Sequence, residues 1–238
     1  MKHLSALLFL TASLDQARAW WGNGHLMVAR IGYDLLMAKN PEVVSEVNAI
    51  LGVLKKSDPS WTTKEDKHPF VECVTFADDI KYKGGSYQSG WHFIDNPYLD
   101  QGGSIDDFDF KADEHNATEA ISALVDWFNQ KGDYKNSYEY QQVSSHGLPN
   151  HTPQDSLSTA MRLLLHYIGD IHQPLHATAR VDKQYPEGDR GGNSFPLPSK
   201  EGAKNLHSVW DSVVYEFAGD FNLVSTEKFF LWQRFFNL

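Results

Sequence analysis

The chain has 238 residues, 41% of them hydrophobic, with 21 basic against 31 acidic side chains and a formal net charge of -10. That length buries a full core in one large domain or two small ones, and the acidity excludes a surface that grips nucleic acid through basic residues alone. Bound divalent cations can supply missing positive charge, so a nucleic-acid substrate stays compatible with this composition.

The first residues read as a secretory signal: Lys2 as the positive start, Leu4 to Leu14 as the apolar stretch, and Ala17-Arg18-Ala19 as the cleavage site. Removal of residues 1–19 makes Trp20 the first mature residue, with a free α-amine. Asn116-Ala-Thr118 and Asn150-His-Thr152 are glycosylation acceptors that fit this route to a secreted or vacuole-like lumen. Cys73 is the only cysteine, so no intramolecular disulfide forms. No apolar run is long enough to cross a membrane.

Apolar residues recur at helical period from His25 to Lys39, through Met27, Val28, Ile31 and Leu35. Asn40-Pro41-Glu42 starts a second helix, with Gly52 as its stop. Residues 56–69 read as loop, and Val71 to Ile80 is open between strand and helix. Gly84-Gly85-Ser86 makes a turn ahead of Trp91-His92-Phe93-Ile94-Asp95, and residues 96–113 form an acidic surface loop. Asn116-x-x-Glu119 caps a helix whose stripe is Ile121, Leu124, Val125 and Phe128. Residues 133–153 are polar and expected to be irregular. A helix from about Gln154 to Gln173 ends at Pro174, because the residue before proline is pushed out of the helical region. Gly- and Pro-rich residues 182–199 lead to a last helix, capped by Ser199, with Leu206, Val209, Trp210, Val213, Val214 and Phe217 on its core face. Phe229, Phe230, Leu231, Trp232, Phe235 and Phe236 crowd the tail and are expected to pack on something. The whole reads as one mainly helical domain.

Chemistry concentrates in the stretch Arg162–His176. His166 and Asp170 are four apart on an otherwise apolar helix and share a face, and His207 and Asp211 repeat that spacing. A single such pair is often a surface ion pair, and a lone histidine such as His92 is more often a satisfied core residue than a ligand. Two pairs with His176 nearby, on helices that bury large apolar faces, point to metal, since buried imidazole and carboxylate must be paired or bound to an ion. The candidate ligands are His25, Asp78, His92, His166, Asp170, His176, His207 and Asp211. Imidazole with carboxylate and no thiolate suits zinc, and eight side chains exceed one tetrahedral ion, implying two or three. His172 is open between a ligand and a helix-end hydrogen bond. Such clusters suit phosphoester hydrolysis.

Six motifs stand in one order: Trp20-Trp-Gly-Asn-Gly-His25, Phe76-Ala-Asp78, His92-Phe-Ile-Asp95, His166-x3-Asp170-Ile-His-Gln-Pro-Leu-His176, Gly191-Gly-Asn193 and Asn205-Leu-His207-x2-Trp-Asp211. On these the chain closely resembles the zinc-dependent class I single-strand nucleases, the fungal and plant nuclease/3′-nucleotidase family. The resemblance implies an all-α fold of the phospholipase C/zinc nuclease type in residues 20–238, with three zinc ions. Carried over, Asp78, His92, His166 and Asp170 hold one zinc and His176, His207 and Asp211 a second. Trp20, through its amine and carbonyl, holds the third with His25 and a bridging Asp170. Asp78 also orients the attacking water, and Lys81 meets the scissile phosphate. Phe93, Asp95 and Asn193 form a pocket for an unpaired base. The implied substrates are single-stranded nucleic acid and 3′-nucleotides, cut to leave 5′-phosphates by a monomer without a stable protein partner.

The chain departs from the family at Phe76, where tryptophan is usual, in lacking its disulfides, and in Arg190, where a small apolar residue often lines the base pocket. It ends 27 residues after Asp211 (238 − 211), where family members continue through further helices, so the expectation is a shortened variant or an incomplete sequence. The alternatives are a zinc phospholipase C, which places glutamate where Asp211 stands, and a secreted zinc-binding protein without catalysis.

Overall fold

The computed structural model describes residues 20–146 and 151–215. Residues 1–19, read above as a signal, Asn150, read as a glycosylation acceptor, and the aromatic tail, Phe217 included, lie outside the described residues. Nearly every other helix packs on α7 (Pro153–Asp170): α1 (Gly22–Lys39), α2 (Pro41–Ser57), α4 (Phe76–Ile80), α5 (Ala117–Phe128) and α6 (Tyr138–Ser145) all contact it.

The start of α7 is specified locally. Thr152 and Asp155 form a reciprocal capping box, each side chain accepting from the other's backbone N–H, and Pro153 takes the first helical position, where its missing N–H costs nothing. The helix then divides the core. Leu163 and Tyr167 pack with Leu54, Phe76, Trp91 and Leu124 on one side, and Met161 packs with Val44, Leu51, Phe70 and Val74 on the other. Each such side chain removed from water contributes roughly 1.5–3 kcal/mol. Between the two sets lies the fully buried Arg162. Its guanidinium donates to both Glu65 oxygens at 2.7 Å, to the Ser158 hydroxyl and carbonyl, and to the Leu51 carbonyl. Every donor that burial strips of water is thereby repaid, and α2 and the loop carrying Glu65 are clamped to α7.

Several sequence expectations shift. The open stretch 71–80 is helical throughout: α3 (Pro69–Glu72), a 3-10 turn Cys73–Thr75, then α4. Helix α2 runs through Gly52 to Ser57, because Leu51 and Leu54 are both buried and a side chain at Gly52 would face open space. Helix α1 buries Gly24, His25 and Ala29 and leaves Ile31 and Leu35 exposed, its inward apolar stripe being Leu26, Ala29, Tyr33 and Leu36 instead of the expected one. In α5 the inward residues are Ala117, Ala120, Leu124 and Trp127, with Val125 exposed; the Asn116 side chain caps it by accepting from the N–H groups of Thr118 and Glu119. Residues 133–153, expected to be irregular, contain α6.

The largest correction concerns residues 196–211. Ser199 does not cap a helix; it lies in β3 (Pro196–Lys200), which turns through Glu201-Gly202 and pairs antiparallel with β4 (Ala203–Asn205). Asn205 is the true cap of α8 (Leu206–Asp211), and the buried face of that helix carries His207 and Asp211, while Trp210 is exposed and Val214 lies exposed beyond the helix end. A second small sheet joins β1 (Asn96–Tyr98), inside the stretch 96–113 expected to be loop, in parallel to β2 (Thr178–Arg180). The architecture is otherwise mainly helical, as expected.

Candidate metal centre

The end of α7 sets the site. His166 and Asp170, one turn apart, are both fully buried, and the helix stops at Asp170, three residues earlier than Gln173. A 3-10 turn, Pro174–His176, then brings His176 back beside the helix end. Helix α1 supplies His25, α4 supplies Asp78, the 3-10 turn Ser86–His92 supplies His92, and α8 supplies His207 and Asp211. Three groups result, each with ligand atoms within 4.8 Å of one another: His25, His166 and Asp170; Asp78, His92 and His166; His176, His207 and Asp211. Asp170 also lies 2.8 Å from His92 Nδ1 and 3.2 Å from His166 Nε2, so it touches both of the first two groups.

Hydrogen bonds outside the clusters fix which nitrogen of each ring faces in. The outer nitrogen of His166 meets the Val74 carbonyl, that of His176 the His92 carbonyl at 2.7 Å, and that of His207 the Gly191 carbonyl at 2.7 Å. His92 Nε2 meets Gln88 Oε1 at 2.7 Å, and the same oxygen accepts from the Tyr167 hydroxyl at 2.6 Å. A carbonyl can only accept, so each outer nitrogen carries a proton, and in the neutral ring the inner one then presents a lone pair. The inner nitrogens then confront one another: His166 Nε2 and His92 Nδ1 at 3.0 Å, His176 Nε2 and His207 Nε2 at 3.1 Å. Facing lone pairs in a buried site repel unless a cation sits between them. Both nitrogens of His25 and both oxygens of Asp170 are buried with no partner in hydrogen-bonding geometry, although His25 Nε2 is 3.2 Å from Asp170. Backbone carbonyls and side-chain amides orienting the outer nitrogens are the support that metal-ligating histidines receive. The donor set fits metal ions.

The electrostatics agree. Burial lowers His92 to about 4 and His176 to about 3, and it lowers His25 as well, so these rings are neutral ligands near neutral pH. Burial would raise Asp170 and Asp78, but the surrounding histidines, with Lys81 beside Asp78, outweigh it and hold both below the ordinary carboxylate range. His166 is raised, since Asp170 and Asp78 outweigh its burial. Asp211 is pushed well up by burial and by Asp78 and Asp170, although Gln173 donates to it at 2.9 Å. Carboxylates at such close quarters call for positive charge.

The remaining candidates surround this centre. Trp20 is held by its indole N–H on the Gly169 carbonyl at 3.0 Å, and the Trp21 N–H donates to the Asp211 carbonyl at 3.0 Å, so the chain before α1 is strapped across two cluster-bearing helices. Lys81 is buried with Nζ 3.0 Å from Asp78. Phe93 stacks on the His176 ring at 4.5 Å between centroids. Asp95 is partly buried with one oxygen lacking a partner, and Asn193 donates its amide to the Arg190 carbonyl at 2.9 Å. His172 is exposed and bonds the Ile168 carbonyl, outside the clusters.

Sequence reasoning missed Gln88 and Gln173, which orient cluster residues, and it missed why two glycines stand where they do. A Cβ on Gly169 would sit 2.5 Å from His25 Nδ1. One on Gly191 (φ 60°) would sit 2.1 Å from the Leu175 carbonyl oxygen, so only glycine brings this backbone under His207. The repeated Gly-Gly before Asn193 was the one available signal.

The S1/P1 nuclease family model matches residues 20–229. Among curated relatives, Endonuclease 1 of Arabidopsis thaliana is 28% identical over 208 residues, covering 86% of this chain and 56% of that protein. Nuclease S1 of Aspergillus oryzae is 28% identical over 230 residues, covering 94% and 64%, and Nuclease P1 of Penicillium citrinum is 27% identical over 194, covering 81% and 57%. The chain thus spans roughly three fifths of the length of these relatives. With its model matched along nearly all of the chain after residue 19, and the buried histidine–aspartate clusters inside that match, the chain belongs to the S1/P1 nuclease family of phosphoester hydrolases.

Proposed function

We propose that this protein is a secreted, monomeric, zinc-dependent endonuclease that cuts single-stranded DNA and RNA to 5′-phosphate products and removes phosphate from 3′-nucleotides. The observation that carries the reading is the facing of buried imidazole nitrogens at 3.0 and 3.1 Å beside an Asp170 carboxylate whose oxygens meet no partner in hydrogen-bonding geometry. In this reading Asp78, His92, His166 and Asp170 hold one zinc and His176, His207 and Asp211 a second. The third is held by His25, Asp170 and the Trp20 amine and carbonyl, the amine being freed by removal of residues 1–19. Bound zinc supplies Lewis-acid polarisation of the phosphoryl group, a nucleophilic water near neutral pH, and neutralisation of leaving-group charge.

The chain's own residues do the rest. The Asp78 carboxylate accepts a hydrogen bond from the attacking water and aligns it opposite the P–O3′ bond. The Lys81 ammonium, already held beside Asp78, donates to a non-bridging phosphoryl oxygen as negative charge builds there. The water oxygen bonds to phosphorus and gives its proton to bulk water as the P–O3′ bond breaks, and the departing O3′ takes a proton from bulk water. Phe93 offers its ring for stacking, Asp95 an acceptor for base N–H groups, and Asn193 closes the pocket. An aromatic platform holds a base only when that base is unpaired, which makes single strands the substrate. Asn116 and Asn150 are the proposed glycosylation sites. The Asn116 amide is partly exposed, and its carbonyl oxygen remains on the helix N-terminus.

The test is purified protein incubated with single-stranded DNA, 3′-AMP and phosphatidylcholine, each with and without chelator. Chelator-sensitive cutting of DNA and release of phosphate from 3′-AMP are expected, with phosphatidylcholine untouched. Headgroup release alone would assign a phospholipase instead, and zinc binding without turnover would leave a binding protein.

A further inference from the structure

The segment after His92 and the turn before β3 lie beside the candidate metal centre, and both are held by hydrogen bonds. Ile94 N–H donates to the His176 carbonyl at 2.7 Å and Asn96 N–H to the Ala177 carbonyl at 3.1 Å, which fixes Asp95 between two anchored neighbours. Residue 190 sits at the tip of the opposing turn, its carbonyl taking both the backbone and the side-chain N–H groups of Asn193. Asp189 locks the base of that turn by accepting from the Arg180 N–H at 2.9 Å. Gly191, jammed against Leu175 and bonded to His207, ties it to the site. The charged groups acting on Asp95 are Asp113, Asp189 and Arg190, and Arg190 alone among them is cationic and exposed. One oxygen of Asp95 is buried without any partner. A buried acceptor left open, two residues from Phe93 and within electrostatic reach of the Arg190 guanidinium, suits a ligand that donates to one group and accepts from the other.

We propose that Asp95 and Arg190 together make this pocket selective for guanine. The proposal rests on the reading of Phe93 as the stacking platform for a base and names which base. An ionised carboxylate only accepts, and guanine alone among the four bases sets two donors side by side, N1–H and the N2 amino group. On guanine's adjoining edge O6 and N7 are acceptors, which is the pairing a guanidinium favours. Adenine instead places its N1 lone pair against the second carboxylate oxygen and its N6 amino group against Arg190. Both contacts repel.

The zinc-loaded mature protein is assayed near neutral pH on 3′-GMP and 3′-AMP, and binding of 5′-GMP and 5′-AMP is measured by calorimetry on the same preparation. The wild type favours guanine by about tenfold or more in kcat/KM and in affinity, the scale of one good bidentate pair. Arg190→Ala removes most of that preference through KM, and Asp95→Asn, whose amide offers one donor beside one acceptor, turns the preference toward adenine. Equal handling of both nucleotides by the wild type, or a preference untouched by Arg190→Ala, overturns the proposal. Guanine-selective binding without hydrolysis supports this pocket while counting against the nuclease reading, and unselective hydrolysis does the reverse.

Discussion

Asp95 works against the fold when it is ionised: burial, with Asp113 and Asp189 nearby, pushes its carboxyl from 3.8 up to about 6 against the pull of Arg190. A raised folded-state value means the native protein holds the proton more tightly than the unfolded chain. The stability this gives is fully present below pH 3.8 and is lost as pH rises through about 6. A shift of this size corresponds to at most roughly 3 kcal/mol. Asp95→Asn is therefore expected to raise the Tm of the chelated protein by several degrees at pH 8 and to leave it unchanged near pH 3. Unfolding scans of both proteins at the two pH values check this, and an equal gain at both would show that charge is not the cause. An acceptor retained at such cost is what a binding residue looks like. At this scale the sequence was informative about ligands, because histidine and aspartate in apolar runs need partners. It was silent about Gln88 and Gln173, because a glutamine near a turn has many ordinary uses and only its contacts reveal that it orients His92 or Asp211.

Helices α1 and α7 meet where both are narrowest. Gly169 lets His25 lie against the last turn of α7, with the His25 and His166 rings stacked at 4.0 Å between centroids. Gly169→Ala favours the helix by propensity, by about 1 kcal/mol, yet places a methyl group 2.5 Å from His25 Nδ1. The variant is expected to fold, to lose the one zinc proposed for His25, and to keep the others that are proposed. Metal analysis showing full zinc content in Gly169→Ala would mean that this close approach does not position His25. Elements were legible where a period or a cap was strong: α5 with its Asn116 cap, and α7, expected from about Gln154, although it stops at Asp170, ahead of the expected end at Gln173. They were illegible where tertiary context decided. Helix α6 buries only Glu139 and Val143, too few to write a stripe in a polar sequence. Helix α8 turns ligands rather than apolar side chains inward, so its hydrophobic pattern pointed to the wrong face. The β3–β4 hairpin turns through Glu201 and Gly202, both at positive φ, a weaker signal than an Asn-Gly pair.

Across the described residues, one central helix carries both the scaffold and the candidate metal centre. Arg162 clamps its middle to α2 and to the loop carrying Glu65, while His166 and Asp170 at its end organise the clusters. The strap at Trp20 and Trp21 joins the helix to α8. A chain with a single cysteine forms no intramolecular disulfide, and ions held by the clusters would act as a staple by stabilising the native state alone. The bridging position of Asp170, in contact with His25, His92 and His166 together, makes it the residue on which the account turns. The most direct measurement is zinc per chain in the purified native protein and in Asp170→Ala. Three equivalents in the native protein, falling by two in the variant, are predicted. A native protein that is active with one equivalent or none, or a variant that loses only one, contradicts the account.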